Sequence, residues 1–540
     1  MCAWHLYCYS FRRSVFSKSL RITTPIISII TNQRPFHSIK NDVFPLTILP
    51  AISVDKRKMT TTAIMDGTTS TTSSTPVTRK TVSLADYDAY GFDLDHTLAK
   101  YKLVEFFDMV YSCLTNFLVN KKGYDAKLKT DLQKYKDFIC KGLFLDIEKG
   151  NILKLADDGS ILKAVHGTKE LTTSQLKSEY GDDLKWEHAE TVKKLLRNQK
   201  VSWRFFENYF DTPGLVAMAQ IIDILDSKAD TDKADASDYS LAWQDVLDGL
   251  IEMYTFTNYA EDKGEFFPIF KKDPSKYVEA CSSDIKKWLK SLKQDNKVVF
   301  LLTSSYVDFA DKTLEAALGP DWATYFDINI FYARKPSYFS DTASHHILED
   351  GKDVGPADTL KKNGFYSRGN HRDLMKFISE QTGKENPQVV YFGDNICADC
   401  YPAKMFAGWG TVLLLEEMDA EGYTCSDGTV PQHEDEGCDG QPASKKSKLP
   451  HFEHSSLVTP EEREYLTSQF WDTFLYHEDT IRPKRMNTFW GSVISEYSCI
   501  TVPSLEYLAG VPLSHQFESF NAVSGNTQGF HPGRPASLLP

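Results

Sequence analysis

Beyond residue 85, five short runs are apolar with almost no polar interruption. They are AYGFDLD (89–95), KVVFLLTSS (297–305), DINIFYAR (327–334), QVVYFGDN (388–395) and GTVLLLEE (410–417). None alternates strictly, which is the pattern of strands buried on both faces in a parallel sheet. Between them the apolar period changes to that of a helix. VDFADKTLEAALG (307–319) stops at Gly319, and HRDLMKFISEQTG (371–383) lies between Asn370, an N-cap candidate, and Gly383, a stop. Strand alternating with helix predicts an α/β fold, a Rossmann-type doubly wound parallel sheet.

The first run ends at residue 95 and the second begins at 297. A structureless loop of that length is implausible, so the intervening chain is expected to form a large inserted cap domain. The reading is a first core part over 85–105, a cap over 106–290 and a second core part over 291–418. Within the cap, NILKLADDGSILKAVH (151–166) reads as a hairpin turning at Asp-Asp-Gly. WRFFENYFDTPGLVAMAQIIDIL (203–225) and YVEACSSDIKKWLKSLK (277–293) read as aromatic and helical stretches within it, and the aromatics of the first are expected to build its core. Residues 1–80 read as leader and disordered linker, ending in the TTSTTSSTP tract, and 419–455 as a disordered, acidic-then-basic insertion. Residues 456–530 regain aromatics and are expected to pack on the core, with 531–540 a tail. No internal repeat is visible.

Composition narrows the function. The 540 residues carry a net charge of -13, so no global basic field exists for gripping nucleic acid. No run approaches the ~20 apolar residues of a membrane span. The ten cysteines are scattered without a zinc or disulfide spacing, which points to a reducing compartment. The first 41 residues hold six Lys or Arg and no acid before Asp42. That matches a mitochondrial transit peptide within 1–58 or, equally, an upstream extension before Met59 or Met65 of a cytoplasmic protein.

The polar residues at the strand ends suggest a reaction. Ligands of an α/β sheet bind outside the carboxyl ends of its strands. Asp93 and Asp95 end the first run, Thr303, Ser304 and Ser305 the second; Lys335 follows the third, and Asp394 and Asn395 end the fourth with Asp399 beyond. Carboxylates crowded together repel unless a cation intervenes, and oxygen-only ligands suit Mg²⁺. One carboxylate can attack phosphorus and another can move a proton. Hydroxyls and a lysine can hold phosphate oxygens. The set suits metal-assisted phosphoryl transfer.

DLDHT, TSS, ARKP and GDNICAD, in that order, resemble the motifs of haloacid-dehalogenase-like (HAD-like) phosphatases, in particular their cytosolic 5'-nucleotidase branch. The resemblance implies a HAD-like core with its cap inserted after the first strand. It makes Asp93 the nucleophile and an Mg²⁺ ligand. Asp95 becomes the general acid/base, with its main-chain carbonyl also on the metal. Thr303, Ser304 and Lys335 become the phosphate binders, and Asp394 a further metal ligand supported by Asp399 and Asn395. The implied substrate is a small-molecule phosphate monoester, a nucleoside 5'-monophosphate first, with a homo-oligomer as one possible state. The chain departs from the branch in two places. Ser304 stands where an Asn is usual. In WQDVLDGLIEMY (243–254), Leu247 and Ile251 stand where an Arg and an Asp that read the base are expected. A non-catalytic interaction protein and a nucleoside phosphotransferase stay open as alternatives.

Other features read more plainly. Cys397 and Cys400 form a CxxC that belongs to the GDNICAD turn rather than to redox chemistry. His345 and His346 read as a surface loop, His96 as a packing residue and SKKSK (444–448) as solvated linker.

Overall fold

Each of the five apolar runs contains one strand, and alternate side chains of these strands enter two separate cores. The computed structural model describes residues 81–199, 201–229, 233–421, 458–478 and 485–518. Among them, nine strands form one sheet. In chain order they are β1 (Ala89–Phe92), β2 (Val298–Leu302), β3 (Ile328–Phe331), β4 (His345–Glu349), β5 (Lys352–Pro356), β6 (Gly364–Arg368), β7 (Val389–Gly393), β8 (Gly410–Leu414) and β9 (Ile500–Val502). Across the sheet the order is β5-β4-β6-β3-β2-β1-β7-β8-β9. All neighbours from β6 to β9 in that order pair in parallel, and β4 runs antiparallel to both its neighbours, β5 and β6. The protein is therefore mixed α/β with a large parallel sheet.

Tyr90, Phe92, Val299 and Leu301 face one core, while Ala89, Val298, Phe300 and Leu302 face the other. This explains the unbroken apolar runs, since neither face meets water. The helix Ser283–Gln294 covers the first face, its Trp288 edge-on to Phe92 at 5.8 Å. The helix His371–Thr382 covers the second with Leu374, Phe377 and Ile378. Asn370 caps it, accepting from the amides of Arg372 and Asp373, and Gly383 ends it in the left-handed region. Gly91 in β1 has a packing reason: a Cβ there would lie 2.2 Å from the Phe300 ring and 2.8 Å from that of Tyr391.

The chain steps outward from β1 through β2 and β3 to β6, then returns to β7 on the other side of β1. The direction reverses between β1 and β7. Their carboxyl ends open there onto a crevice, the place where such sheets bind ligands.

The residues between β1 and β2 build a second sheet. Its five strands lie in the order Lys169–Glu170, Ile161–His166, Asn151–Leu155, Leu143–Asp146 and Trp203–Phe206, all antiparallel. Three helices, Leu103–Lys122, Thr212–Asp226 and Ala236–Met253, pack together beside it. The helix Phe489–Tyr497 returns to this sheet, with Trp490 stacked on Phe144 at 5.8 Å and its indole N–H bonded to the Gly142 carbonyl at 2.7 Å.

Several expectations change. The run 203–225 is not helical throughout: WRFF is a strand, and the helix begins only at Thr212. His345 and His346 are not in a loop but in β4. His345 is buried, its Nε2 3.1 Å from the Tyr338 hydroxyl, and His346 pairs with Asp353 across the β4–β5 hairpin. The sequence reading lacked β4, β5, β6 and β9. The helix Glu417–Ala420 carries ordered chain past 418, the expected end of the core. The leader and linker over 1–80, most of the 419–455 insertion and the tail fall outside the described residues.

Candidate active site

Asp93 follows β1 directly, and its amide donates to Phe392 of β7 at 2.9 Å, which holds the two strand ends together. The next residues turn back on themselves. Ala99 donates to the Leu94 carbonyl at 2.9 Å, and His96 takes a left-handed φ of 53° at the tip. The loops after β2 and β3 are tied to each other in the same way. Tyr332 donates to the Ser305 carbonyl at 2.8 Å, and Ala333 to that of Thr303 at 3.0 Å. Tyr332 and Arg334 adopt positive φ, a cost that this cross-bonding sustains. The loop delivers Lys335, whose amide donates to Ser304 Oγ at 2.9 Å.

The eight residues singled out in the sequence meet. Asp93, Asp95, Thr303, Ser304, Lys335, Asp394, Asn395 and Asp399 all line one cavity of about 160 Å³. The Lys335 side chain is buried within it. Its Nζ lies 2.8 Å from Asp93 Oδ1 and 2.5 Å from Asp399 Oδ1, and donates to the Tyr391 hydroxyl at 2.9 Å. The Asp93 contact is close but lacks hydrogen-bond alignment, so that oxygen keeps capacity for another partner. Burial opposes the charge on Lys335, but Asp399 and Asp93 together outweigh it and raise its pKa.

Asp93, Asp394 and Asp399 can each place one carboxylate oxygen within 4.8 Å of the others, and all three are buried. Burial first, then Asp399 beside it, pushes Asp394 well above the carboxylate range; burial also pushes Asp399 up to about 6 against the pull of Lys335. One lysine cannot neutralise three carboxylates. The donors are all oxygen and the charge excess is anionic, so the site fits a hard cation. Gly393 makes room for this packing: a Cβ there would lie 2.4 Å from Asp399 Oδ2. Asn395 Oδ1 caps the turn that carries Asp399, accepting from Ala398 at 2.6 Å. Asp399, expected as a support, stands inside the cluster.

The Asp95 carboxylate stands apart from that trio. Tyr101 donates to its Oδ1 at 2.7 Å and Ser305 to its Oδ2 at 2.5 Å. Burial raises its pKa, as does the charge of Asp93, while the two hydroxyls pull the other way. Thr303 Oγ1 accepts from the Ser305 amide at 3.1 Å, which leaves its proton to donate elsewhere.

The insert supplies the opposite wall. Trp243, Phe205, Phe210 and Leu247 are apolar there, with Arg204, Glu207 and Asn208 among them. The Arg204 guanidinium lies 5.9 Å from the Trp243 ring and donates to Asp211, which is fully buried. Glu207 Oε2 accepts from the Cys397 amide at 3.3 Å, which joins the insert to the GDNICAD turn. Burial pushes Glu207 up to about 7. Cys397 lines the cavity while Cys400 enters the apolar core. Ile251, unlike Leu247, is not part of the wall.

Sequence reasoning missed Tyr101, Ser305 as a partner of Asp95, Tyr391, Arg204, Glu207 and Asp211. One signal was available for the last three. WRFFENYFD places lone charges among aromatics, and a charge carried into a core must be paired.

The pattern that defines the 5' nucleotidase family matches residues 77–524. The chain belongs to that family. It is similar to the human 5'-nucleotidase domain-containing protein 1, at 37% identity over 460 residues that cover 84% of this chain and 97% of that protein. The bovine protein of the same name is 36% identical over 464 residues, covering 84% and 97%. Human 5'-nucleotidase domain-containing protein 2 is 25% identical over 364 residues, 63% of this chain and 62% of that protein. Family membership points to hydrolysis of nucleotide phosphate. Among the described residues, no helix is long and apolar enough to cross a membrane.

Proposed function

We propose that the protein is a Mg²⁺-dependent phosphohydrolase that cleaves phosphate monoesters, nucleoside 5'-monophosphates first, through an aspartyl phosphate on Asp93. The observation that carries this reading is the meeting of Asp93, Lys335, Asp394 and Asp399 in one buried cavity at the switch point of the sheet. In this reading the parallel sheet is a HAD-like core and the insert between 106 and 290 is its cap.

Mg²⁺ would be held by the carboxylates of Asp93 and Asp394 and the main-chain carbonyl of Asp95, with Asp399 beside them, and would neutralise phosphoryl charge. Thr303 and Ser304 donate to phosphoryl oxygens, and Lys335 offsets their charge while fixing Asp93. An Asp93 oxygen bonds to phosphorus as the ester P–O bond breaks, and the leaving oxygen takes a proton from Asp95. Water then attacks phosphorus and returns a proton to Asp95. The bond to Asp93 breaks and inorganic phosphate leaves. The raised pKa of Asp95 suits a group that must hold a proton between the two halves. Trp243, Phe205 and Phe210 offer ring faces to the leaving group, and Leu247 gives this wall no charged reader of a base. Discrimination among bases is therefore modest.

The test is phosphate release by the full chain from p-nitrophenyl phosphate and a panel of nucleoside 5'-monophosphates, with and without Mg²⁺, beside Asp93→Asn. Mg²⁺-dependent release that vanishes in Asp93→Asn supports the reading. Equal release by the two proteins refutes it.

A further inference from the structure

The cavity holds one carboxylate that the phosphoryl chemistry does not use. Glu207 follows the strand Trp203–Phe206 of the insert, lines the cavity and is 8% exposed. Among the described residues only Cys397 donates to it, through its amide at 3.3 Å and through its thiol. An ionised carboxylate accepts about four hydrogen bonds. Glu207 therefore keeps acceptor capacity inside the cavity, and a shielded acceptor without a donor costs free energy.

The surroundings restrict what meets it. Positive charge is already close: Arg204 lines the same wall, and Lys141 acts on Glu207 from outside the lining. A further cation is not called for, and neutral donors suit the site. Depth decides which donors. Glu207 is tied to the amide of Cys397, and three Cα steps separate Cys397 from Asp394, a path of at most ~11 Å. The turn shortens that path, because the amides of Asp399 and Cys400 both bond back to the Asn395 carbonyl. The carboxylate thus stands near the phosphoryl end of the cavity, at the depth of the group bonded to the phosphate rather than of a base beyond it. In a nucleoside 5'-monophosphate that group is the pentose. A ribose presents two O–H donors on neighbouring carbons, on one side of the ring, and a carboxylate can accept both. Rossmann-type sheets use an Asp or Glu in this way for the ribose 2'-hydroxyl of dinucleotides. The rings of Trp243, Phe205 and Phe210 are left for the base.

We propose that Glu207 is a specificity-determining residue that binds the 2'- and 3'-hydroxyls of the substrate, so that the protein acts on ribonucleotides in preference to 2'-deoxyribonucleotides. This rests on the phosphohydrolase reading above and narrows its substrate class.

The test compares adenosine 5'-monophosphate with its 2'-deoxy counterpart on the full chain with Mg²⁺. The pH is 8, above the value of about 7 to which burial raises Glu207. kcat/KM should favour the ribonucleotide roughly tenfold or more, since the deoxy sugar leaves a charged acceptor short of a donor. Glu207→Gln and Glu207→Ala should each bring the ratio to within about threefold. The ratio is taken within each protein, so a loss of overall activity does not enter it, and the wild-type ratio still decides if a variant fails to fold. Equal use of the two nucleotides by the wild type, or a preference that survives in both variants, would overturn the proposal and leave the phosphohydrolase reading standing. If neither nucleotide is turned over, that reading falls, and isothermal titration of Asp93→Asn with the same two nucleotides decides this one. Tighter binding of the ribonucleotide by a similar factor supports it, and equal or absent binding overturns it.

Discussion

Lys335 holds its ammonium 2.8 Å from Asp93 Oδ1, at the end of β1, although 242 residues separate the two in the chain. The same nitrogen reaches Asp399 beyond β7. Replacing it breaks both links. Lys335→Met should lower kcat/KM by roughly a hundredfold or more, since a fixed charge at the transferring phosphoryl is lost. It should also destabilise the fold by about 3–5 kcal/mol, because Asp399 is then buried without its counter-charge. Adding Asp399→Asn should restore part of the stability in urea titrations and none of the activity.

Tyr101 and Ser305 each donate a hydroxyl proton to one oxygen of Asp95. They are positioning residues. Tyr101→Phe should lower kcat by about tenfold while KM stays within about twofold, the mark of an interaction that matters to proton transfer rather than to binding. Steady-state kinetics on p-nitrophenyl phosphate separates the two constants. A KM effect alone would place Tyr101 in substrate binding.

Glu416 gives a pH dependence. Burial, only partly countered by Lys100 and reinforced by Glu417, pushes its pKa from 4.5 up to about 8. Between those values the folded chain keeps a proton that the unfolded chain has released. Its destabilising effect is absent below about pH 4.5, grows through the window and is complete above about pH 8. Glu416→Gln should therefore raise stability at pH 8 by roughly 1–3 kcal/mol and leave it nearly unchanged at pH 4.5. Thermal melts at the two values test the sign.

Arg204, on the cavity wall, forms a buried pair with Asp211. Arg204→Ala strands the Asp211 carboxylate and should cost about 3–5 kcal/mol, whereas Arg204→Met with Asp211→Asn should cost much less. Chemical denaturation of the two variants measures the difference.

The strands that position the candidate site residues were legible because burial on both faces leaves an unbroken apolar run, and because Asp93, Thr303, Lys335 and Asp394 sit just past such runs. The β4–β5 hairpin was not legible. It forms the open edge of the sheet, and its residues are mostly half-buried or exposed, so HHILE and KDVGP carry no apolar signal. His345 is buried by tertiary packing against Tyr338, which no local pattern announces. WRFF was not legible as a strand because four buried residues flanked by more aromatics have no period of their own. Arg204 and Asp211 are seven residues apart across a strand and a turn, a spacing without a motif. The motif residues were found one by one. What they bond to was set by the fold.

The central claim is that carboxylates from distant strands share one divalent ion. A crystal structure of the full chain grown with Mg²⁺ tests it most directly. The account predicts one ion with oxygens of both Asp93 and Asp394 at about 2.0–2.1 Å. A structure in which the ion binds elsewhere, or in which these two carboxylates lie too far apart to reach it together, would contradict it.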